Sequence, residues 1–328
     1  MNFSSKITFA FYGIIVYLLG IAIYHVIRDP GAWAFALLGT AALICFWMLG
    51  SKLISKKKQT ILSRIQATLH RFSFLIEQLV ARDFKTKYKR SVLGVFWSFL
   101  NPLLMMAVQY FVFKNLIRIR VDSSPDNPML EYYAVYLLVG IIMFSGFNDC
   151  CNQALRSIVY NASLITKVYV PKVIYPTTKV FSAGINLALS ILPLYIIALI
   201  NGLWPDLSIL LLPLGLLFIL VFTIGMGYFL SASVVFFRDI EFLWGVFSTM
   251  WMYATPIIYD INILPNWVQK LMMFNPLYHY IDFIRQIVIL RQVPSALETL
   301  ICAAFSLGMF AIGLAVFKKT EDKFIFYI

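Results

Sequence analysis

The feature that most constrains this chain is a recurrence of apolar blocks, each of about 20 residues, which is the length a helix needs to cross the hydrocarbon core of a bilayer. They run along nearly all of its 328 residues, 61% of which are hydrophobic and only 13% charged. Within lipid every backbone N–H and C=O must find its partner inside the fold, so such blocks are stable there as packed helices. The chain therefore reads as an all-α integral membrane protein with no room for a soluble domain. Its longest polar stretch, residues 52–91, connects spans.

Residues 7–27 and 32–50 read as a helical hairpin that turns at Arg28, Asp29, Pro30 and Gly31. The first block is too long for the apolar region of a signal peptide, and a second block follows directly, so the hairpin is expected to be retained. A basic linker, SKLISKKK at 51–58, returns the chain to the cytoplasmic surface, where it would sit near anionic lipid. Two domains are thus expected: 1–58, hairpin and linker, and 59–328, the core. From 69 to 80, Leu69, Phe72, Ile76, Leu79 and Val80 follow helical spacing, with His70, Ser73, Glu77 and Gln78 opposite. This pattern predicts an amphipathic helix lying in the membrane interface.

Six core spans are expected at 92–113, 132–151, 178–200, 207–235, 242–259 and 297–317. Asn101-Pro102 lies inside the first and should bend it, because proline removes a backbone donor. Between 260 and 296 two apolar pieces are separated by Asn275-Pro276, and neither is long enough to cross. The second holds Asp282 and Arg285 three positions apart, an expensive pair if it faced lipid. A hairpin that dips in from the outer side and returns to it is expected. Both termini are then cytoplasmic, which suits Lys318, Lys319 and Lys323 in the tail.

The net charge of +12 invites a nucleic-acid reading until its distribution is considered. The topology above places 20 of the 27 Lys and Arg inside and 7 outside, against 7 and 8 acids. That asymmetry is the positive-inside rule, and nucleic acid is not required. No G-x-x-x-x-G-K-[ST] occurs, so the chain lacks the backbone cradle that holds nucleotide phosphates. His25, His70 and His279 are scattered, and Cys45, Cys150, Cys151 and Cys302 have no metal spacing, so no metal and no cofactor bound by this chain is expected. No carboxylate pair or G-x-S-x-G supplies a catalytic residue. The mid-membrane positions are almost free of charge, unlike those of ion-coupled transporters, with Asp149 near the cytoplasmic end of its span.

Two patterns remain. Arg82, Lys85, Lys87, Lys89 and Arg90 crowd into nine residues immediately before the first core span. They read as a topogenic anchor that attracts anionic lipid heads. Trp244, Phe247 and Trp251 recur on one helical face, with Tyr253 and Tyr259 beyond, and Trp97, Tyr110, Phe111 and Phe113 run along the first core span. These rings suit packing or an interfacial belt, or else a channel wall on which sugar faces stack weakly.

The motif R-D-x-K-x-x-Y-K-x-S-x-L-G-x-x-W-x-x-x-x-P at 82–102, the run NASLITKVYVPKVIYP at 161–176 and FNPLYHYIDFIRQIV at 274–288 together resemble permeases of type 2 ABC exporters for polysaccharides, the O-antigen, teichoic acid and capsule transporters. The resemblance covers about residues 65–328 and implies a six-span subunit in the bacterial plasma membrane. It implies a homodimer with two separate ATPase subunits, which hold ATP and Mg, and a lipid-diphosphate-linked polysaccharide as cargo. For such a cargo it implies that the five cationic residues at 82–90 form a mouth that gathers the diphosphate head group. Asn161, Leu164, Ile165, Lys167, Val168, Tyr169 and Pro171 fall in the region implied to couple to the ATPase. Asn275, Pro276, Tyr278, Asp282 and Arg285 fall in the implied outer gate. The N-terminal hairpin is outside the minimal family pattern. An ion-coupled glycan-lipid flippase and a membrane-embedded glycosyl or acyl transferase are the alternatives. The first would need buried titratable groups, and the second a His or carboxylate constellation.

Overall fold

A computed structural model describes residues 72–89, 91–116, 128–167 and 170–327. The expected hairpin at 7–50, the linker 51–58, Arg90, the loop 117–127, Val168 and Tyr169 lie outside the described residues. Packing divides the chain into 1–79 and 80–328. Of the first unit only 72–79 are described, and they form the first half of a helix. Among the described residues there is no strand.

That helix, α1, runs Ser73–Tyr88, so it starts later than the periodicity predicts and continues through the cationic cluster. Nothing in 81–88 breaks a helix, and Lys85 and Lys87 lie in its last turn, where the helix dipole favours cations. Leu79 is buried while Phe74, Glu77, Gln78, Arg82 and Lys85 are exposed, the two-faced pattern of an interfacial helix.

Among the described residues five helical stretches are long and apolar enough to cross a membrane: Gly94–Asn115, Pro128–Leu155, Ile174–Ile200, Leu207–Phe236 and Ala296–Tyr327. The first contains α2, Trp97–Tyr110, with Pro102 inside it. Proline at 102 leaves the carbonyl of Ser98 without its helical donor, and the hydroxyl of Ser190 donates to it at 3.1 Å. The second contains α3, Tyr133–Leu155. It is the centre of the bundle: Val135, Leu137, Leu138, Val139, Met143 and Phe147 have no exposed surface. Two short helices follow, α4 (Ser157–Tyr160) and α5 (Ala162–Lys167).

The third stretch is α6, Ile174–Leu189, and α7, Ile191–Ile200, broken at Ser190. Pro193 explains the break, because its ring crowds the carbonyl four residues earlier. The fourth contains α8, Leu212–Phe236, and the last contains α12, Ala296–Thr320. These two pack together most extensively, at a contact only glycine permits. A side chain on Gly225 would meet the backbone of Met309 and Phe310 at 2.5 Å, and Gly313 faces Gly225 in return.

The expected span 242–259 is resolved into α9, Ile240–Ala254, followed by an irregular bend. At 15 residues α9 is about 22 Å long, short of the ~30 Å core. Beyond the bend come α10 (Asn266–Met272), α11 (Pro276–Arg285) and α12, whose first turn is closed by a capping box of Ser295 and Glu298. The last short helix, α13, is Phe324–Tyr327.

Candidate functional site

Contacts between sequence-distant residues gather 156–167, 170–173, 236–241 and 318–327 at one end of the bundle. There the chain leaves α3 through α4 and α5, which meet at Asn161. Its side-chain Nδ2 donates to the Ser157 carbonyl at 2.7 Å and fixes the angle between the two short helices. Leu164 points outward, 36% exposed, whereas Ile165 is only 8% exposed and belongs to the core. Tyr160, which the sequence reading passed over, is 70% exposed beside them. Lys167 closes α5, and the Pro171 carbonyl accepts from Ile174 N at the start of α6. Two contacts tie this segment to its neighbours. Arg156 pairs with Glu241 of α9 at 2.6 Å, and Lys172 donates to the Glu321 carbonyl beyond α12.

The cationic cluster is not five free charges. Arg82 and Lys179 of α6 both pair with Asp83, at 3.0 and 2.7 Å, and Lys87 pairs with Asp149 of α3 at 3.2 Å. The Tyr88 hydroxyl donates to Asn186 Oδ1 at 2.8 Å, so the end of α1 is latched to α3 and α6 by both charge and hydrogen bond. Lys85 and Lys89 stay exposed, and among the described residues neither has an ion pair. Exposed pairs of this kind contribute about 0–1 kcal/mol each, so the latch rests mainly on the less exposed Asp83–Lys179 pair.

The aromatic residues divide by direction. Trp244 is buried, and Trp251 stacks edge-on against Phe147 with ring centres 5.5 Å apart, so both serve the core. Phe247, Tyr253 and Trp97 are exposed along α9 and α2. Tyr110 lies 6.1 Å from the ring of Tyr133, and its hydroxyl accepts from Lys114 at 2.6 Å. The i, i+3, i+7 spacing therefore brings two of the three α9 rings into the protein and leaves Phe247 outside.

At the opposite end, the bend 255–259 raises a specific physical problem. Irregular backbone is tolerated at membrane depth only where protein satisfies its polar groups. Four successive carbonyls are satisfied in this way. Arg285 Nη1 donates to Pro256 O at 2.9 Å and Nη2 to Ile257 O at 3.0 Å. The Tyr133 hydroxyl donates to Ile258 O at 2.8 Å, and that of Tyr136 to Tyr259 O at 2.9 Å. Arg285 is 2% exposed, stacks 3.3 Å from the Tyr136 ring centre and also reaches Tyr136 O at 3.2 Å. A side chain at Gly140 would strike Ile257 and crowd this guanidinium.

The expected Asp282–Arg285 pair does not form among the described residues, because the guanidinium is drawn to these carbonyls instead. Asp282 accepts from Gln286 Nε2 at 2.8 Å, and the same amide donates to Glu298 of α12 at 3.0 Å. Asn275 caps α11: its Oδ1 accepts from Leu277 N and from Trp251 Nε1, at 3.1 and 2.9 Å, while Nδ2 donates to Thr255 Oγ1 at 2.9 Å. Pro276 occupies the first helical position, which suits a residue without a donor. Tyr278, half-buried, lies against His279.

A chain with these long apolar helices, a latched basic helix at one end and a sealed non-helical bend at the other is a multispanning membrane protein. More specifically, the chain belongs to the ABC-2 type transporter family, which it matches over residues 75–289. It is similar to the O-antigen export system permease protein RfbA of Myxococcus xanthus, 27% identical over 263 residues, which cover 80% of this chain and 98% of that one. RfbA of Klebsiella pneumoniae is 29% identical over 212 residues, 63% of this chain and 78% of that one. The polysialic acid transport protein KpsM of Escherichia coli is 21% identical over 252 residues, 75% and 93% of the two chains. The relatives are named for transport and export.

Proposed function

We propose that this chain is the transmembrane subunit of an ATP-driven exporter that moves a lipid-diphosphate-linked polysaccharide out of the cytoplasm across the bacterial plasma membrane. The observation that carries the reading is membership of the ABC-2 type transporter family together with similarity, over most of the chain, to an O-antigen export permease and a polysialic acid transport protein. The end bearing 156–173 is cytoplasmic on this reading, and so are both termini. The six core crossings are the five long stretches and α9 with its bend. A second copy completes the pathway, and two ATPase subunits holding ATP and Mg dock on α4 and α5.

Desolvation explains why such a cargo needs a protein. Moving one phosphate charge into hydrocarbon costs on the order of 20 kcal/mol in the idealised Born limit. A membrane potential of 100 mV, negative inside, returns only about 2.3 kcal/mol per charge. Lys85 and Lys89, exposed at the end of α1, gather the diphosphate with charge-assisted hydrogen bonds. The glycan then passes the exposed rings of Trp97, Phe247 and Tyr253, which hold it weakly and let it slide. Docking motions reach the pathway through the Arg156–Glu241 pair, which joins the coupling segment to the start of α9.

The test is energetic. In cells carrying this exporter, export of the polymer stops when ATP is depleted and continues when ionophores collapse the ion gradients. Export that survives ATP depletion and fails with the gradients would contradict the reading and favour an ion-coupled flippase.

A further inference from the structure

Helix α11 lies in the region where the outer opening of such an exporter would be controlled. A moving flap should be loosely held, with few buried contacts and few hydrogen bonds to its surroundings. Helix α11 is the opposite. Leu277, Tyr280, Ile281, Phe283, Ile284 and Arg285 are all buried to within 2%. At its start, Asn275 bonds to both Trp251 and Thr255 at the end of α9. At its end, Arg285 holds the carbonyls of Pro256 and Ile257 in the bend and that of Tyr136 in α3. In the middle, the Tyr280 hydroxyl meets Ser306 of α12 at 2.7 Å, and past its end Gln286 reaches Glu298.

The residues just before α11 differ sharply. Trp267, Leu271, Met273 and Phe274 are between 55% and 77% exposed, and of the residues of α10 only Met272 is buried. The boundary between buried and exposed chain falls at Asn275, and one side-chain bond from α11 crosses it, from His279 Nε2 to the Met273 carbonyl at 2.9 Å.

We propose that α11 is part of the fixed frame of the subunit, riveted at its two ends by Asn275 and Arg285, and that the outer opening is controlled by the exposed lip at 261–274. The inference rests on the export reading and deepens it. Arg285 is a positioning residue: it touches no cargo but sets where α11, and so the root of the lip, stands against α3 and the bend. Gly140 is the necessary space for that guanidinium.

Amide hydrogen exchange of the transporter with its ATPase in nanodiscs, with and without Mg-ATP, tests this. Protection across 276–285 should agree within about twofold in the two states, while exchange in 261–274 changes about fivefold or more. Exchange that rises through 276–285 on ATP addition, or a lip that does not respond, overturns the proposal. Arg285→Gln should raise exchange across 276–285 even without ATP, and Arg285→Lys, which keeps a charged donor, should raise it less. An unchanged Arg285→Gln profile also overturns the assignment. If either variant fails to fold, the wild-type comparison still decides. Export is measured on the same complex: loss of ATP-driven export beside the expected exchange pattern counts against the exporter reading alone.

Discussion

Individual residues carry the sharpest division between charge that holds the fold and charge that is free to act. Of the cationic cluster, Arg82 and Lys87 are engaged with Asp83 and Asp149, while Lys85 and Lys89 face outward. Replacing both with glutamine should leave thermal stability within about 0.5 kcal/mol of wild type, as exposed substitutions usually do. Polysaccharide export by the Lys85→Gln, Lys89→Gln double variant should fall about tenfold or more, the loss of one or two charge-assisted contacts. Wild-type export from a stable double variant would remove these lysines from the cationic mouth. The sequence showed the cluster plainly, but not which members were spent. Arg82 pairs with its own neighbour Asp83, but the partner of Lys87 lies on α3, and no local pattern reports a contact made 62 positions away, as between Lys87 and Asp149. The same holds for Arg285. Its position beside Asp282 suggested a pair three residues apart, whereas its partners are carbonyls released by the end of α9.

At the scale of elements, periodicity located the long apolar stretches of the described residues within a few residues, except that the last runs past the expected 317 to Tyr327, because a membrane span is a local property of composition. It was less informative where tertiary contact decides. The break at Ser190 follows from Pro193, yet the third span reads as continuous, since proline is common in membrane helices. Helix α5 shows the same limit: Leu164 and Ile165 look equivalent in sequence, yet one is exposed and the other buried. Leu164→Asp should keep the chain folded and stop the ATPase subunit from co-purifying. Ile165→Asp should instead lower the yield of folded protein, because it buries an unpaired carboxylate, a change that costs several kcal/mol. Co-purification retained by a folded Leu164→Asp variant would take that side chain out of the interface.

For the whole molecule, a basic helix is latched to α3 and α6, rings on α2 and α9 are exposed, and the bend after α9 is sealed by side chains of α3 and α11. Nearly all of this class assignment was legible in the apolar blocks and three motif stretches. The role of Tyr133 and Tyr136 was not, since their rings look like any interfacial belt until the carbonyls of the bend are placed beneath them. The central claim is that this chain, with an ATPase, carries a lipid-linked polysaccharide across a bilayer. The most direct measurement reconstitutes both proteins in vesicles with their cytoplasmic faces outward and supplies the lipid-linked polymer outside. With Mg-ATP the polymer should accumulate inside, protected from an added glycosidase, and without ATP it should not. Equal protection in both conditions, or none in either from a complex that hydrolyses ATP, would contradict the account.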